Sequence, residues 1–501
     1  MSGTKEYLNR AQLYIDGSFV DPANDLTENV YEKATGDVLG TVGVASVDQV
    51  RTACAKARAA QRLWSAATWL ERAEALRKAA DLLDERAEEV QDLIVRETGC
   101  ILGKAQYETS FSAAALRDAA VAASRATGEV VPSSAPGKVN IVERIPVGVV
   151  AVITPWNFPL VLAAYTVGPA LALGNTVVLK PSPLTPLSGG ILLAELFEEA
   201  GIPPGVMNVI TGSPIELGQA LVADPNVNMI HFTGSTAVGR EIAVMAARQL
   251  KKVTLEMGGN NAFVVLDDAD VSAAADVGAW STFHYQGQSC ISATRHIVMS
   301  NVAQAYEREL AERASRIRVG NPASENVGLG PIISEAQRDR ALGMLRDSVA
   351  GGARVVEGGE CTGLFFRPTV LADVTPGMPA FTEELFAPIA PITAVETEEE
   401  ALELVNRTEY GLAGAVFSSD PWRGLCFARQ VKAGMVHVND TTNLAEVNIP
   451  FGGFGASGLG SRTGGDANLE QFTERRWISV QGTAVSYPWL YPGAESDSTG
   501  Q

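Results

Sequence analysis

Five cysteines, Cys54, Cys100, Cys290, Cys361 and Cys426, stand singly along the chain. An odd total with no CxxC pair predicts neither a disulfide framework nor a zinc site, and points to a reducing compartment. Cys290 has distinctive neighbours. It lies in HYQGQSCISATRH beside Gly287, Gln288, Ser289 and Ser292, a polar, Gly-bearing setting that suits a nucleophilic thiol better than an inert core residue. Glu256, in VTLEMGGNN, stands where a strand meets a Gly-Gly turn. From there a carboxylate could reach the ligand edge of an α/β sheet, the plain alternative being a solvated side chain. FTGSTAVG sets Gly234 and Ser235 between an apolar run and a helix start. Free N–H groups there attract an anion such as a phosphate, the plain alternative being an ordinary strand-turn-helix with a serine cap. The GxGxxG spacing occurs once, at Gly453, Gly455 and Gly458. It follows Pro450–Phe451 rather than a strand and opens no helix, so it reads as a turn. The four histidines, His231, His284, His296 and His437, show no HxxxH spacing, and no metal site is expected.

These residues need elements to position them. Ser46 and Gln49 form a capping box ahead of an amphipathic helix running to about Arg62, and a second helical stripe runs from about Leu70 to Thr98, ending before Gly99. The first hundred residues therefore read as largely helical. After Gly137 the runs Val147–Ile153, Thr176–Leu179, Val206–Ile210, Met229–Phe232 and Val253–Leu255 alternate with helical stretches, among them Ile215–Val222 and Val238–Leu250. Such alternation predicts right-handed βαβ crossovers and a parallel sheet. A second α/β series runs from Asn261 to about Asp440. The segments Lys138–Arg144 and QFTERRWISVQ read as strands of a small projecting sheet, a natural oligomer contact. The ends, Met1–Lys5 and Gly493–Gln501, read as frayed.

The expected fold class is thus α/β: a Rossmann-like parallel-sheet cofactor domain (1–125 and 146–255), a second α/β catalytic domain (256–440), a small oligomerisation β-sheet (126–145 and 470–488) and a return segment (441–469). The chain's 501 residues and 46% apolar content suffice for more than one core. Thirty-nine basic against 58 acidic residues, a net charge of −19, argue against nucleic-acid binding. No segment has the apolar length of a membrane span or signal peptide, and a cytoplasmic protein is expected.

The segments TPWNFPL, VVLKPS, FTGSTAVG, LEMGGNN, YQGQSC, EELFAP and PFGGFGASG occur in this order. Together they resemble the aldehyde dehydrogenase superfamily, from about Leu13 to Gln481. ERIPVGVVAVITPWNFPL, LKKVTLEMGGNN, NDTTN and QFTERRWISV look most like its bacterial benzaldehyde and vanillin dehydrogenases. The resemblance implies NAD or NADP as cofactor and a small-molecule aldehyde as substrate. It assigns the nucleophile to Cys290, an oxyanion donor to the Asn157 amide and the hydrolytic base to Glu256. Gly234, Ser235 and Gly239 would serve the pyrophosphate end of the cofactor. Thr154 and Trp156 would lie along it, Lys180 and Ser182 at the adenosine ribose, and Glu384 and Phe386 at the nicotinamide ribose. The substrate pocket would comprise Phe158, Leu162, Tyr165, His284, Ile291, Asn443 and Phe451, an aromatic wall in which His284, Tyr165 or Asn443 could bond a ring substituent. The resemblance also implies a homodimer or homotetramer.

Three positions depart from common family patterns. Pro183 replaces a glutamate that in many NAD-preferring relatives accepts from the ribose 2′-hydroxyl, which opens NADP use. Ala387 replaces a glycine before proline, and Gly455 a lysine. The alternatives to hydrolytic aldehyde oxidation are a coenzyme A-acylating enzyme on the same fold and a catalytically silent homologue.

Overall fold

The computed structural model describes residues 11–125, 128–213 and 215–484. The expected frayed ends lie outside these residues, as do 126–127 and 485–488 of the expected oligomerisation segments. The first large sheet has five central parallel strands: Met207–Val209, Thr176–Lys180, Val149–Ile153, Met229–Thr233 and Lys252–Glu256, in that spatial order. All but the last are buried throughout or nearly so, as expected of strands rich in Val and Ile with helices packed on both faces. Its edges are antiparallel. Leu13–Ile15 and Ser18–Val20 flank one side, and Gly458–Leu459 pairs with Leu255 and Glu256 on the other.

A second sheet of seven strands carries Asn261–Val265 and Ala293–Met299 at its centre, parallel to each other and to Ile389–Val395 and Ala413–Phe417. A third, three-stranded sheet pairs Thr473–Gln481 with Lys138–Pro146 and that strand with Glu129–Val131. Val130, Val139, Trp477 and Val480 are exposed on it.

Two expectations need correction. The first hundred residues are not largely helical: before Ser46 the described chain forms four short strands, including the hairpin of Thr27–Tyr31 with Val38–Gly43. Short two-sided strands carry too little periodicity to stand out from loops. The stripe from Leu70 to Thr98 is two helices, Trp69–Glu85 and Ala87–Thr98, meeting at Arg86 with φ −99° and ψ 16°. The break lets Leu76 and Leu83 on one helix and Val90 and Ile94 on the other enter the same core. Arg86 is held at the joint by Glu89 and Glu195 at 3.0 and 3.2 Å. The capping box at Ser46 is formed, and its helix spans Val47–Ala66.

Candidate active site

Two cavities meet at Cys290. The larger, about 440 Å³, extends from Cys290 and Glu256 along the ends of the first sheet's strands. The smaller, about 160 Å³, lies on the other side of the thiol. Asn157, Leu162, Tyr165, Cys290 and Phe451 line both. A ligand reaching Cys290 from one side therefore meets a ligand reaching it from the other.

Cys290 is presented by a tightly bent segment. Tyr285, Gln286 and Gly287 are consecutive left-handed residues, with φ of 50°, 56° and 68°, a conformation that costs roughly 1–3 kcal/mol at each non-glycine residue. The surroundings over-determine it. Gln286 Nε2 donates to the carbonyls of Gly99 and Pro331 at 3.0 and 2.7 Å, and Gln288 Oε1 accepts from Ile333 N at 2.9 Å. A Cβ at Gly287 would lie 2.2 Å from the Ala387 carbonyl oxygen, so only glycine fits there. Beyond the thiol, Asn261 Nδ2 donates to the carbonyls of Cys290 and Ser292, both at 2.8 Å. The second asparagine of LEMGGNN thus clamps the cysteine loop, a role that the motif did not disclose.

The thiol itself is held neutral. Burial pushes it up to about 12, reinforced by the carboxylates of Glu384 and Glu256, while the backbone N–H groups of Cys290 and Ile291 pull the other way. The Asn157 amide donates one N–H to the carbonyl of Gln288 at 3.1 Å, which leaves its second N–H for a ligand. Glu256 is buried, and neither carboxyl oxygen has a hydrogen-bond partner among the described residues. Burial raises its pKa well above the ordinary carboxylate range, against a smaller opposing pull from Arg462. A Cβ at Gly452 would sit 2.7 Å from Glu256 Oε1 and 2.5 Å from Arg462 Cδ, so that glycine leaves room for both groups. The GFGASG segment buttresses this edge and is not a phosphate loop. Ser457 donates through Oγ to the carbonyl of Gly258 at 2.7 Å, and its own carbonyl accepts from Met257 N at 2.9 Å.

Of the nine cofactor candidates, all but one line the larger cavity. Thr154, Trp156, Lys180, Ser182, Gly234, Ser235, Glu384 and Phe386 all line it. Strand Met229–Thr233 passes through Gly234 to Ser235, whose hydroxyl caps helix Thr236–Arg248 by accepting from Val238 N. The helix start therefore opens onto the cavity, where its free N–H groups favour an anion. Thr154 Oγ1 is buried and unpartnered among the described residues, as expected of a hydroxyl awaiting a ligand. Glu384, raised by burial to about 7, accepts from Gly259 N at 3.1 Å, and a Cβ on Gly258 would come within 2.3 Å of it. Trp156 and Phe386 meet edge to face, 5.4 Å apart. Gly239 is the exception. It does not line the cavity, and a Cβ there would lie 2.3 Å from Met257 Sδ, so its smallness serves helix-to-strand packing.

Two further cavity residues, Gln337 and Arg340, come from the start of helix Glu335–Ala350. Gln337 Nε2 donates to the carbonyls of Leu385 and Phe386 at 3.3 and 2.9 Å, holding the Glu384 loop. Neither is flagged by a motif in the sequence, because both act only through segments some fifty residues away.

The smaller cavity gathers Phe158, Leu162, Tyr165, His284, Ile291, Asn443 and Phe451, together with Tyr107, Phe111 and Trp280, which sequence reasoning missed. Tyr165 lines this cavity with its hydroxyl proton already engaged, donating between the carbonyls of Thr463 and Ile449 at 3.1 and 3.3 Å. His284 Nδ1 and Asn443 Oδ1 are instead buried and unpartnered among the described residues. Burial lowers the His284 pKa to about 4, assisted by Lys104, so the ring is neutral at pH 7. Trp280 stacks on it at 4.4 Å. No cluster of His, Cys, Asp and Glu able to hold a metal occurs among the described residues.

The chain is similar to known proteins over most of its length. Residues 19–478 match the aldehyde dehydrogenase family. The chain is 47% identical to a vanillin dehydrogenase of Amycolatopsis sp. and 46% identical to a benzaldehyde dehydrogenase [NAD(+)] of Pseudomonas putida, each covering 92% of this chain and 94% of the relative. Among solved structures, an Escherichia coli NADP-dependent enzyme superposes with a TM-score of 0.92 at 36% identity, over 95% of this chain and 99% of that one. A Sinorhizobium meliloti NAD-dependent aldehyde dehydrogenase does so with a TM-score of 0.92 at 37% identity, over 95% and 96%. The thiol between two cavities, the bare carboxyl beside it and the helix start at the far end are thus set in a shared frame, and the chain belongs to the aldehyde dehydrogenase family.

Proposed function

We propose that this enzyme oxidises a ring-substituted aromatic aldehyde to its carboxylic acid, with Cys290 as nucleophile, Asn157 as oxyanion donor and Glu256 as hydrolytic base. The observation that carries this reading is the meeting of the two cavities at Cys290. When bound in the larger one, a nicotinamide dinucleotide supplies a hydride acceptor. The Cys290 thiol gives up its proton to solvent water, its sulfur bonds to the aldehyde carbon, and the carbonyl oxygen takes up negative charge within reach of the free Asn157 N–H and the Cys290 backbone N–H. Loss of the aldehyde hydrogen as hydride leaves a thioester on the sulfur. Water then adds to that carbon, giving its proton to Glu256, and the carbon–sulfur bond breaks to release acid and thiol. A carboxyl with a raised pKa and no internal partner is suited to that proton transfer.

The aryl preference rests on the smaller cavity. Its walls are aromatic and aliphatic, it contains no lysine or arginine among its lining residues, and its unpartnered buried side-chain atoms include His284 Nδ1 and Asn443 Oδ1 beside Asn157 Oδ1. A ring hydroxyl or methoxy group would satisfy them, whereas a carboxylated semialdehyde would find no counter-charge. The cofactor assignments to Thr154, Trp156, Lys180, Ser182, Gly234, Ser235, Glu384 and Phe386 belong to the same proposal. Pro183 lines the cavity beside Lys180 and Ser182. The carboxylate acting on Lys180 is Glu28, which is turned to the backbone N–H of Ser213 at 3.2 Å and does not line the cavity. A 2′-phosphate would therefore meet no carboxylate there, and NADP is accepted alongside NAD. The exposed valines and Trp477 on the three-stranded sheet support its role as the contact between copies in a homodimer or homotetramer.

The deciding experiment is a panel of aliphatic, aryl and hydroxyaryl aldehydes run with NAD and with NADP. Hydroxyaryl aldehydes are expected to give the highest kcat/KM with either cofactor. An aliphatic optimum overturns the aryl assignment, and acyl-CoA formation overturns the hydrolytic one.

A further inference from the structure

Lys104 and Glu108 lie one turn apart on helix Leu102–Ala122, and both are completely buried. Neither lines either cavity, and the chemistry above does not use them. Their contacts nevertheless converge on it. Lys104 Nζ pairs with Glu108 Oε2 and donates to the peptide carbonyl of Asn157 at 2.8 Å. It also sits over the rings of Phe158 and Tyr285, 4.5 and 4.3 Å from their centroids. Glu108 uses its other oxygen, Oε1, to accept from Leu160 N at 2.8 Å and Val161 N at 3.3 Å. Those amides open helix Pro159–Ala172, which has no side-chain cap of its own at Phe158. The chain from 157 to 161 is therefore gripped at one carbonyl and two amides by a single ion pair. The same cation touches the ring of Tyr285, the first left-handed residue of the bend that leads to Cys290.

We propose that Lys104 and Glu108 are positioning residues for the oxyanion site: the pair fixes the Asn157 backbone against the cysteine loop, so that the free amide N–H is aimed before the substrate arrives. An oxyanion donor acts only when pre-aimed, since reorientation during the reaction forfeits most of its benefit. A buried ion pair is not needed for stability, because apolar residues of similar volume commonly replace one without loss. Here it supplies what apolar residues cannot: a donor for a carbonyl and an acceptor for two amides, all within five residues of one chain segment. The proposal rests on the oxyanion role assigned to Asn157.

The test is a double-mutant cycle on the pre-steady-state rate of NAD(P)H formation, with thermal melting and cofactor affinity measured in parallel. Asn157→Ala is expected to slow the burst by roughly 100- to 1,000-fold. Lys104→Met is expected to slow it by about 10- to 100-fold with cofactor affinity unchanged, and to add less than about threefold in the Asn157→Ala background. Glu108→Gln keeps the acceptor for Leu160 and Val161 and removes the charge together with the acceptor for Lys104. It is expected to slow the burst by about three- to tenfold, again only when Asn157 is present, and it serves where Lys104→Met does not fold. A burst within twofold of wild type in every folded variant of the pair, or losses that multiply with that of Asn157→Ala, overturns the proposal. A wild-type burst rate in Asn157→Ala alone overturns the oxyanion reading beneath it.

Discussion

Two glutamates, both buried, stand on either side of Asn157 and Cys290 and are treated in opposite ways. Glu108 has both oxygens occupied, by an ammonium and two backbone amides. Glu256 has neither oxygen hydrogen-bonded among the described residues, and its pKa is raised accordingly. Full satisfaction makes a carboxylate rigid and inert, whereas an unsatisfied carboxyl keeps lone pairs and a displaced pKa available for proton transfer. Glu256 is left bare along with Thr154 Oγ1, His284 Nδ1 and Asn443 Oδ1, buried polar atoms that line the two cavities without a hydrogen-bond partner among the described residues.

That contrast can be broken from both ends. The largest effect is expected for Cys290→Ala, which removes the group that the bare carboxyl serves. Aldehyde oxidation should fall by roughly 10⁴-fold or more, the scale seen when a covalent nucleophile is lost, while a fluorescence titration still shows cofactor binding. Turnover above that level overturns the assignment of Cys290. Next comes Glu256→Gln, for which steady-state turnover is expected to drop by about 10²- to 10⁴-fold. Stopped-flow traces should then show a burst near one equivalent of NAD(P)H per active site, because thioester formation outlives thioester hydrolysis. A loss of rate with no burst would place Glu256 in the first half of the reaction.

Stability provides the third probe. Glu108→Ala strands a buried ammonium and two amides, and should cost about 3–5 kcal/mol in urea unfolding. Glu256→Met removes a carboxyl that has no partner to lose, and should be neutral or stabilising by up to about 1–3 kcal/mol. Equal destabilisation by the two would contradict the contrast. The smallest effect concerns pH. In the cofactor-free enzyme the Cys290 thiol, pushed up to about 12, is neutral at pH 7 and gains thiolate only as pH rises. Peptide-resolved alkylation by iodoacetamide should therefore be slow at Cys290 at pH 7 and climb through the alkaline range. Removing a carboxylate that raises the pKa shifts that rise to lower pH, with Glu384→Gln expected to act more than Glu256→Gln, since Glu384 is the larger electrostatic contributor. An unshifted profile in both would show that burial alone sets the thiol.

Much of this contrast was legible from the chain, and its limits are instructive. Cys290, Glu256, Gly234 and Ser235 stand out because their chemistry depends on local context: a Gly-flanked thiol, a strand-end carboxylate, a strand running into a helix cap. The capping box at Ser46 and the parallel strands were readable for the same reason. Gly239 lies off the cavity, and a glycine facing a ligand and a glycine facing Met257 look alike in one dimension. Tyr165 lines the smaller cavity, and its hydroxyl donates to carbonyls nearly 300 positions away. The break at Arg86 was invisible because the apolar stripe continues through it.

The sequence by itself determined which groups are present and the order of elements that carry them: a thiol, an amide, a glutamate and a helix start at strand ends or in turns, and a second glutamate, Glu108, on a helix. Only the tertiary structure decided which glutamate is saturated and which is bare. Lys104 meets the Asn157 carbonyl across 53 positions, Glu256 loses water to the Gly452 turn nearly 200 positions away, and Gln337 reaches the Glu384 loop across about 50. Protonation and reactivity follow from the distance to other charges and to water, and those distances are set by packing between segments remote along the chain.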